Sequence, residues 1–206
     1  QLLVYGKNIS DYVPVINSSN AKLVSTEKVK NKNYIFLNIS ISENAKPENI
    51  EIKFLNDNIV VDRYEFSLLE RKENASKVEG FNNSDVMYLI TPDRYVNGDP
   101  ENDDIEYMYE RPNRDNDRGL HGGDIQGIIN NLDYIYDLGF TTIWLNPVLE
   151  NNMKKSSYHG YSTTDYYKID PRFGTNELFK ELSLKSKEKG IKLVMDLIPN
   201  HCGSEH

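Results

Sequence analysis

Ile191-Lys192-Leu193-Val194-Met195-Asp196-Leu197-Ile198-Pro199-Asn200-His201 is the stretch on which the reading of this chain turns. From Ile191 to Ile198 it is apolar and β-branched apart from Lys192 and Asp196, and Gly190 precedes it. That is the pattern of a buried strand. Asp196 falls in the C-terminal half of the strand, with Asn200 and His201 just beyond it. Parallel α/β folds gather polar residues at the carboxyl ends of buried strands, where their active sites open. The sequence therefore predicts a parallel sheet with a candidate site at its mouth.

The segments upstream agree. Val86-Met87-Tyr88-Leu89-Ile90 is a continuous apolar run, and Thr141-Thr142-Ile143-Trp144-Leu145-Asn146 reads as a second buried strand. Between them Ile125, Ile128, Ile129, Leu132, Ile135 and Tyr136 recur at helical spacing on one face, with Gly139 as the stop. Thr175 suits the cap of a helix starting at Asn176. That helix turns Leu178, Phe179 and Leu182 inward and carries Lys187 and Lys189 in its last turn. Strand, helix, strand, helix, strand is the signature of a parallel sheet. About three strands are too few for an eight-stranded barrel of roughly 250 residues, so the expectation is the first part of one.

Residues 1–84 read differently. Leu2–Tyr5, Tyr12–Ile16, Tyr34–Ile39, Ile50–Phe54 and Ile59–Val61 are short apolar or alternating runs parted by Asn, Ser, Gly and Pro. This is the pattern of a small all-β sandwich. The polar stretch Arg71–Ser84 reads as a linker. The expected division is thus a β-sandwich domain over 1–84 and a truncated barrel over 85–206.

A net charge of −8 over 206 residues argues against a nucleic-acid partner. No apolar run is long enough to span a bilayer, so no membrane insertion is expected. A single cysteine, Cys202, excludes an intrachain disulfide.

Three clusters carry chemistry. Asn97-Gly98-Asp99-Pro100-Glu101-Asn102-Asp103-Asp104 offers carboxylate and amide oxygens over one tight turn, the hard donors that Ca²⁺ takes. A solvated acidic turn has the same composition. His121-Gly122-Gly123-Asp124 opens the first helix, where Asp124 could equally serve as a cap. Tyr158 to Thr175 is rich in tyrosine beside polar groups, which suits the apolar face and hydroxylated rim of a pyranose and also an ordinary surface loop.

Taken in this order and spacing, these clusters resemble the start of the catalytic domain of the α-amylase family, glycoside hydrolase family 13. The similarity is greatest to its cyclomaltodextrinase and neopullulanase branch. Asp196-Leu197-Ile198-Pro199-Asn200-His201, Tyr161–Thr175 and His121–Asp124 match successive family motifs, and residues 1–84, with Val4-Tyr5-Gly6-Lys7-Asn8, resemble the branch's N-terminal sandwich. The resemblance implies an immunoglobulin-like sandwich followed by part of a (β/α)8 TIM barrel. It implies that His201 hydrogen-bonds the sugar, that Tyr161 stacks on it, and that Asp196 shapes the inner site, with His159 a further cleft candidate. It implies one calcium ion held by Asn97, Asp99, Asn102, Asp103, Gly122 and Asp124.

The implied partners are α-glucan oligosaccharides: maltooligosaccharides, cyclodextrins or pullulan. The nucleophile and acid of a retaining glycosidase would follow later barrel strands, so no catalytic carboxylate is expected here and this chain alone should be inactive. A non-catalytic carbohydrate-binding or transporter-associated homologue is the alternative. A homodimer through the N-terminal domain, and a periplasmic or secreted location, are further expectations.

Overall fold

The computed structural model describes residues 1–70 and 80–206. The chain forms two compact units, Gln1–Val78 and Glu79–His206. The linker expected over Arg71–Ser84 lies, from 71 to 79, outside the described residues.

The first unit contains β1 (Leu2–Tyr5), β2 (Val13–Ile16), β3 (Ala21–Lys28), β4 (Tyr34–Ile41), β5 (Glu48–Asn56) and β6 (Ile59–Leu68). They make two antiparallel sheets, ordered β1-β4-β3 and β2-β5-β6. Each central strand buries alternate residues, Ile35 and Leu37 in β4 and Ile50, Ile52 and Phe54 in β5. That is the period of a strand with one face inward. Ile35 and Leu37 share one core with Ile52 and Phe54, so both sheets close on the same apolar interior. Asp57 and Asn58 take positive φ between β5 and β6, the conformation a two-residue hairpin turn demands.

No strand is expected over β3, and the reason is physical. Lys22, Ser25, Thr26, Glu27 and Lys28 supply almost no apolar alternation. Backbone pairing along β4 makes this edge segment a strand.

The second unit is built on a parallel sheet, β11-β8-β7, of β7 (Met87–Ile90), β8 (Thr142–Leu145) and β11 (Lys192–Met195). Adjacent strands follow in chain order. β9 (Leu149–Glu150) and β10 (Asp165–Ile169) form an antiparallel pair in the excursion after β8. The helices are α1 (Ile125–Asn130), α2 (Leu132–Asp137) and α3 (Asn176–Glu188). Ile90, Ile143 and Leu145 from one sheet face meet Ile125, Ile128, Leu132, Ile135 and Leu182 in a single core. On the other face Leu89 pairs in register with Trp144, and Trp144 with Val194. There Leu89 is 52% and Trp144 36% exposed.

Thr175 caps α3 as expected, its side chain accepting from Leu178 N. Two expectations are corrected. The helix over 125–136 is broken at Asn131, whose φ of −113° and ψ of 16° end α1 and begin α2. After the break Tyr136 faces solvent, while Gly139 still closes the helix at a φ of 86°. The strand carrying Asp196 stops at Met195, and as an edge strand it leaves Met195 and Leu197 exposed.

The starts of the three parallel strands are tied by one carboxylate. Asp85 accepts from Lys192 Nζ at 2.8 Å, from Asn82 N at 2.8 Å and from Thr141 Oγ1 at 2.9 Å. The Lys192 bond, helped by that from Asn82, lowers the Asp85 pKa from 3.8 to about 2. A carboxylate depressed in the fold stabilises it above the unfolded pKa and loses that contribution as pH falls through the folded one. Asp85→Asn should therefore lower the melting temperature at pH 7, and the gap from wild type should close as the pH falls from 3.8 towards 2. A pH series of thermal melts followed by circular dichroism tests this; a gap that stays constant into acid contradicts it.

Candidate functional site

Both candidate clusters sit on loops that leave the carboxyl ends of the parallel strands. Loop backbone has no ladder to satisfy its N–H and C=O groups, so side chains must do so. The loop after β7 is held by two buried carboxylates. Asp124 is fully buried and caps α1, accepting from Gly127 N at 2.6 Å and Gly98 N at 3.1 Å on one oxygen. Its other oxygen accepts from Asp99 N at 2.8 Å and Asn102 Nδ2 at 3.2 Å. Asp93, also buried, accepts from His121 N at 2.8 Å and Gly122 N at 3.1 Å.

These bonds bring Asn97, Asp99, Asn102, Asp103, Gly122 and Asp124 into one cluster. Asn97 donates to both oxygens of Asp103, at 2.8 and 2.9 Å, while its own Oδ1 is buried without a partner among the described residues. Asn102 Oδ1 is orphaned in the same way. Gly122 has a φ of 86°, and a Cβ there would lie 2.5 Å from Asp103 Oδ1, so only glycine lets the loop close on this carboxylate. Burial pushes the Asp103 carboxyl above its ordinary value, and Asp124 and Asp99 add to that push. Among the described residues no three His, Cys, Asp or Glu side chains make a metal-ligating group. The donors here are instead amide oxygens beside carboxylates. Unpartnered buried amide oxygens beside a carboxyl group fit a hard cation such as Ca²⁺. Asp124 differs from an open ligand, because its four acceptor positions are already filled by N–H groups. The Asp99 carboxylate is exposed and accepts from Glu101 N at 3.2 Å.

The second cluster joins the loops after β8 and β11. Tyr161 donates its hydroxyl to Asp196 at 3.0 Å. His201 Nε2 lies 2.8 Å from the Tyr161 carbonyl, and its Nδ1 lies 2.8 Å from Asn200 Nδ2. A carbonyl only accepts, so Nε2 carries the proton and Nδ1 accepts from Asn200. Both nitrogens expected to serve a sugar hydroxyl are thus engaged by the protein. The Tyr166 hydroxyl reaches the carbonyls of Ile198 and His201 at 2.9 and 2.6 Å, fixing the segment after β11. His159 Nδ1 accepts from Tyr161 N at 2.9 Å, which places the ring proton on Nε2, and burial lowers the pKa of the imidazole. Burial, then Asp196, raises the Tyr161 phenol. Tyr161, His159, Asp196 and His201 therefore form one group, with the Tyr161 ring partly open to solvent.

Sequence reasoning missed the residues that hold this group. Arg172 and Asp170 form a buried bidentate pair, at 2.9 and 2.7 Å. Arg172 also donates to Ser157 Oγ at 3.0 Å and to the Asn151 carbonyl at 2.9 Å. Glu110 clamps the N–H groups of Ser156 and Ser157 at 3.0 and 2.6 Å, just before Tyr158 and His159. The signal available was an ion pair, Asp170-Pro171-Arg172, set between the apolar Ile169 and Phe173, where charge is costly unless paired. Breaking a buried pair leaves one charge uncompensated, so Arg172→Met should lose about 3–5 kcal/mol of stability. Urea unfolding measures this, and a loss under about 0.5 kcal/mol, the scale of a neutral surface change, contradicts it.

Comparison with known proteins adds a separate finding. The family described as alpha amylase, catalytic domain, matches residues 89–206, and the cyclomaltodextrinase N-terminal family matches residues 1–72. A cyclomaltodextrinase of Thermoanaerobacter pseudethanolicus is 44% identical over 120 residues, covering 57% of this chain and 20% of that protein. Neopullulanase 2 of Thermoactinomyces vulgaris is 32% identical over 143 residues, covering 69% and 24%. A crystal structure of an Anoxybacillus α-amylase superposes with a TM-score of 0.53 at 41% identity, covering 59% of this chain and 25% of that one. The chain spans only 20% and 24% of the length of these two curated relatives.

Proposed function

The chain belongs to the α-amylase family, and from that membership we propose that it is the N-terminal portion of a retaining α-glucan hydrolase. Its substrates would be maltooligosaccharides, cyclodextrins or pullulan. Residues 1–84 would be an immunoglobulin-like sandwich, and 85–206 the first part, about three strands, of a (β/α)8 barrel. Supporting the barrel are parallel strands adjacent in chain order and a sheet apolar on both faces, since such sheets are covered on both sides in α/β folds. A homodimer through residues 1–84 belongs to the same proposal. The exposed β-branched residues Val13, Val24 and Ile59 on its edge strands support it.

The observation that carries the reading is the meeting of Tyr161, His159, Asp196 and His201 at the carboxyl end of the parallel sheet. Tyr161 would present its ring to a glucose face, held in orientation by the hydroxyl bond to Asp196. His159 Nε2–H, and His201 once a sugar hydroxyl replaces a protein partner, would bind the rim. Ca²⁺ would be held by Asn97, Asp99, Asn102, Asp103 and the Gly122 carbonyl, and by Asp124 once it exchanges one of the four N–H groups it accepts for the ion. Bound there, the ion supplies a cross-link between the loop after β7 and the start of α1, and adds stability by mass action.

A retaining mechanism needs two carboxyl groups about 5–5.5 Å apart across the scissile bond. We assign no residue of this chain to that pair, so the chain alone should bind glucans without cleaving them. Incubation with maltohexaose should give no new reducing ends, while isothermal titration shows weak binding that Tyr161→Ala abolishes. Hydrolysis by this chain, or binding unaffected by Tyr161→Ala, contradicts the reading.

A further inference from the structure

Asp93 and Arg94 connect the two clusters without belonging to either. Asp93 receives the N–H groups of His121 and Gly122, and Gly122 packs directly against Asp103 and Asn97. Arg94 pairs with Asp93, donates to the Asp117 carbonyl at 2.7 Å, and lies with its guanidinium carbon 4.0 Å from the centre of the Tyr158 ring. Tyr158 meets His159 edge-on at 5.4 Å, and His159 accepts from Tyr161 N. The segment 156–161 is therefore gripped at two points. Glu110 holds its start at Ser156 and Ser157, and Arg94 presses on the ring at its middle.

We propose that Arg94 is a positioning residue that couples the acidic–amide cluster to the aromatic group, so that a cation bound at the first holds Tyr158, His159 and Tyr161 in place. This rests on the reading of the first cluster as a Ca²⁺ site. A cation that fixes Asp103 and Gly122 fixes the N–H groups that Asp93 receives, and through Asp93 the orientation of the guanidinium. Arginine suits the task because its planar fork pairs with a carboxylate while its face stacks on an aromatic ring. Lysine offers the charge without either geometry. The cluster around Asp103 thus acts on saccharide binding from a distance, without touching the sugar.

The test is hydrogen exchange of the Tyr161 amide in the full chain, with and without calcium chloride, alongside calorimetric titration of Ca²⁺. Wild type and Tyr158→Phe, which keeps the ring, should exchange about fivefold or more slowly when Ca²⁺ is bound, the scale of an ordinary coupling between sites. Arg94→Lys and Tyr158→Leu should bind Ca²⁺ and show no slowing. Should Arg94→Lys fail to fold, Tyr158→Leu alone decides, since it leaves the Asp93 pair intact. Calcium binding by wild type without slowing, or slowing that survives in Tyr158→Leu, overturns the coupling and leaves the cation site standing. A wild type that takes up no Ca²⁺ overturns both.

Discussion

Buried carboxylates that collect loop N–H groups are the interaction on which the second unit depends. Its parallel strands are short, and long irregular segments follow β7 and β8. Such segments cannot be folded by apolar burial alone, because every N–H drawn away from water needs an acceptor. Asp124 takes four donors, Asp93 takes the N–H groups of His121 and Gly122, and Asp170 takes those of Asn151 and Arg172. Asp124 stands where the chain enters α1, Asp93 in the turn just after β7, and Asp170 directly after β10.

That arrangement separates scaffold from surface. The apolar core of Ile125, Ile128, Ile143 and Leu145 fixes where α1 and β8 lie, and Phe173 adds a contact by accepting from Ile125 N at 3.1 Å. The carboxylates then fix the loops relative to those elements. What remains at the mouth of the sheet, the Tyr161 ring, His159 Nε2 and the orphaned amide oxygens of Asn97 and Asn102, is the part with chemistry left to offer. The buried pair of Asp170 and Arg172 illustrates the division: it reaches the segment that carries Tyr158, His159 and Tyr161 through Ser157, Asn151 and the Glu110 carbonyl.

Legibility in the sequence followed the same division. β7, β8, α3 and its Thr175 cap were readable because each rests on local pattern, whether apolar run, helical period or capping side chain. That Asn97, Asp99, Asn102, Asp103, Gly122 and Asp124 meet, and that Tyr161, His159, Asp196 and His201 meet, was expected from motif order, not from local pattern, since each set is spread over about thirty to forty residues. β3 was not, since its strand state comes from pairing with β4. The break at Asn131 was not, since the apolar period runs on through it. Asp93 and Glu110 were not, because the backbone N–H groups they accept come from segments 28 to 47 residues away, and the Asp170–Arg172 pair carried a local signal only in its apolar flanks. Glu110 and Ser157 are brought together only by the fold.

The measurement that bears most directly on this view is the unfolding free energy of Asp124→Asn. The substitution keeps shape and removes one acceptor oxygen, so two of the four donors now held by Asp124 would face an amide that cannot accept. Orphaning them should cost about 2 kcal/mol or more in urea denaturation. A variant within about 0.5 kcal/mol of wild type, the range of a neutral surface change, would mean that the apolar core alone holds these loops.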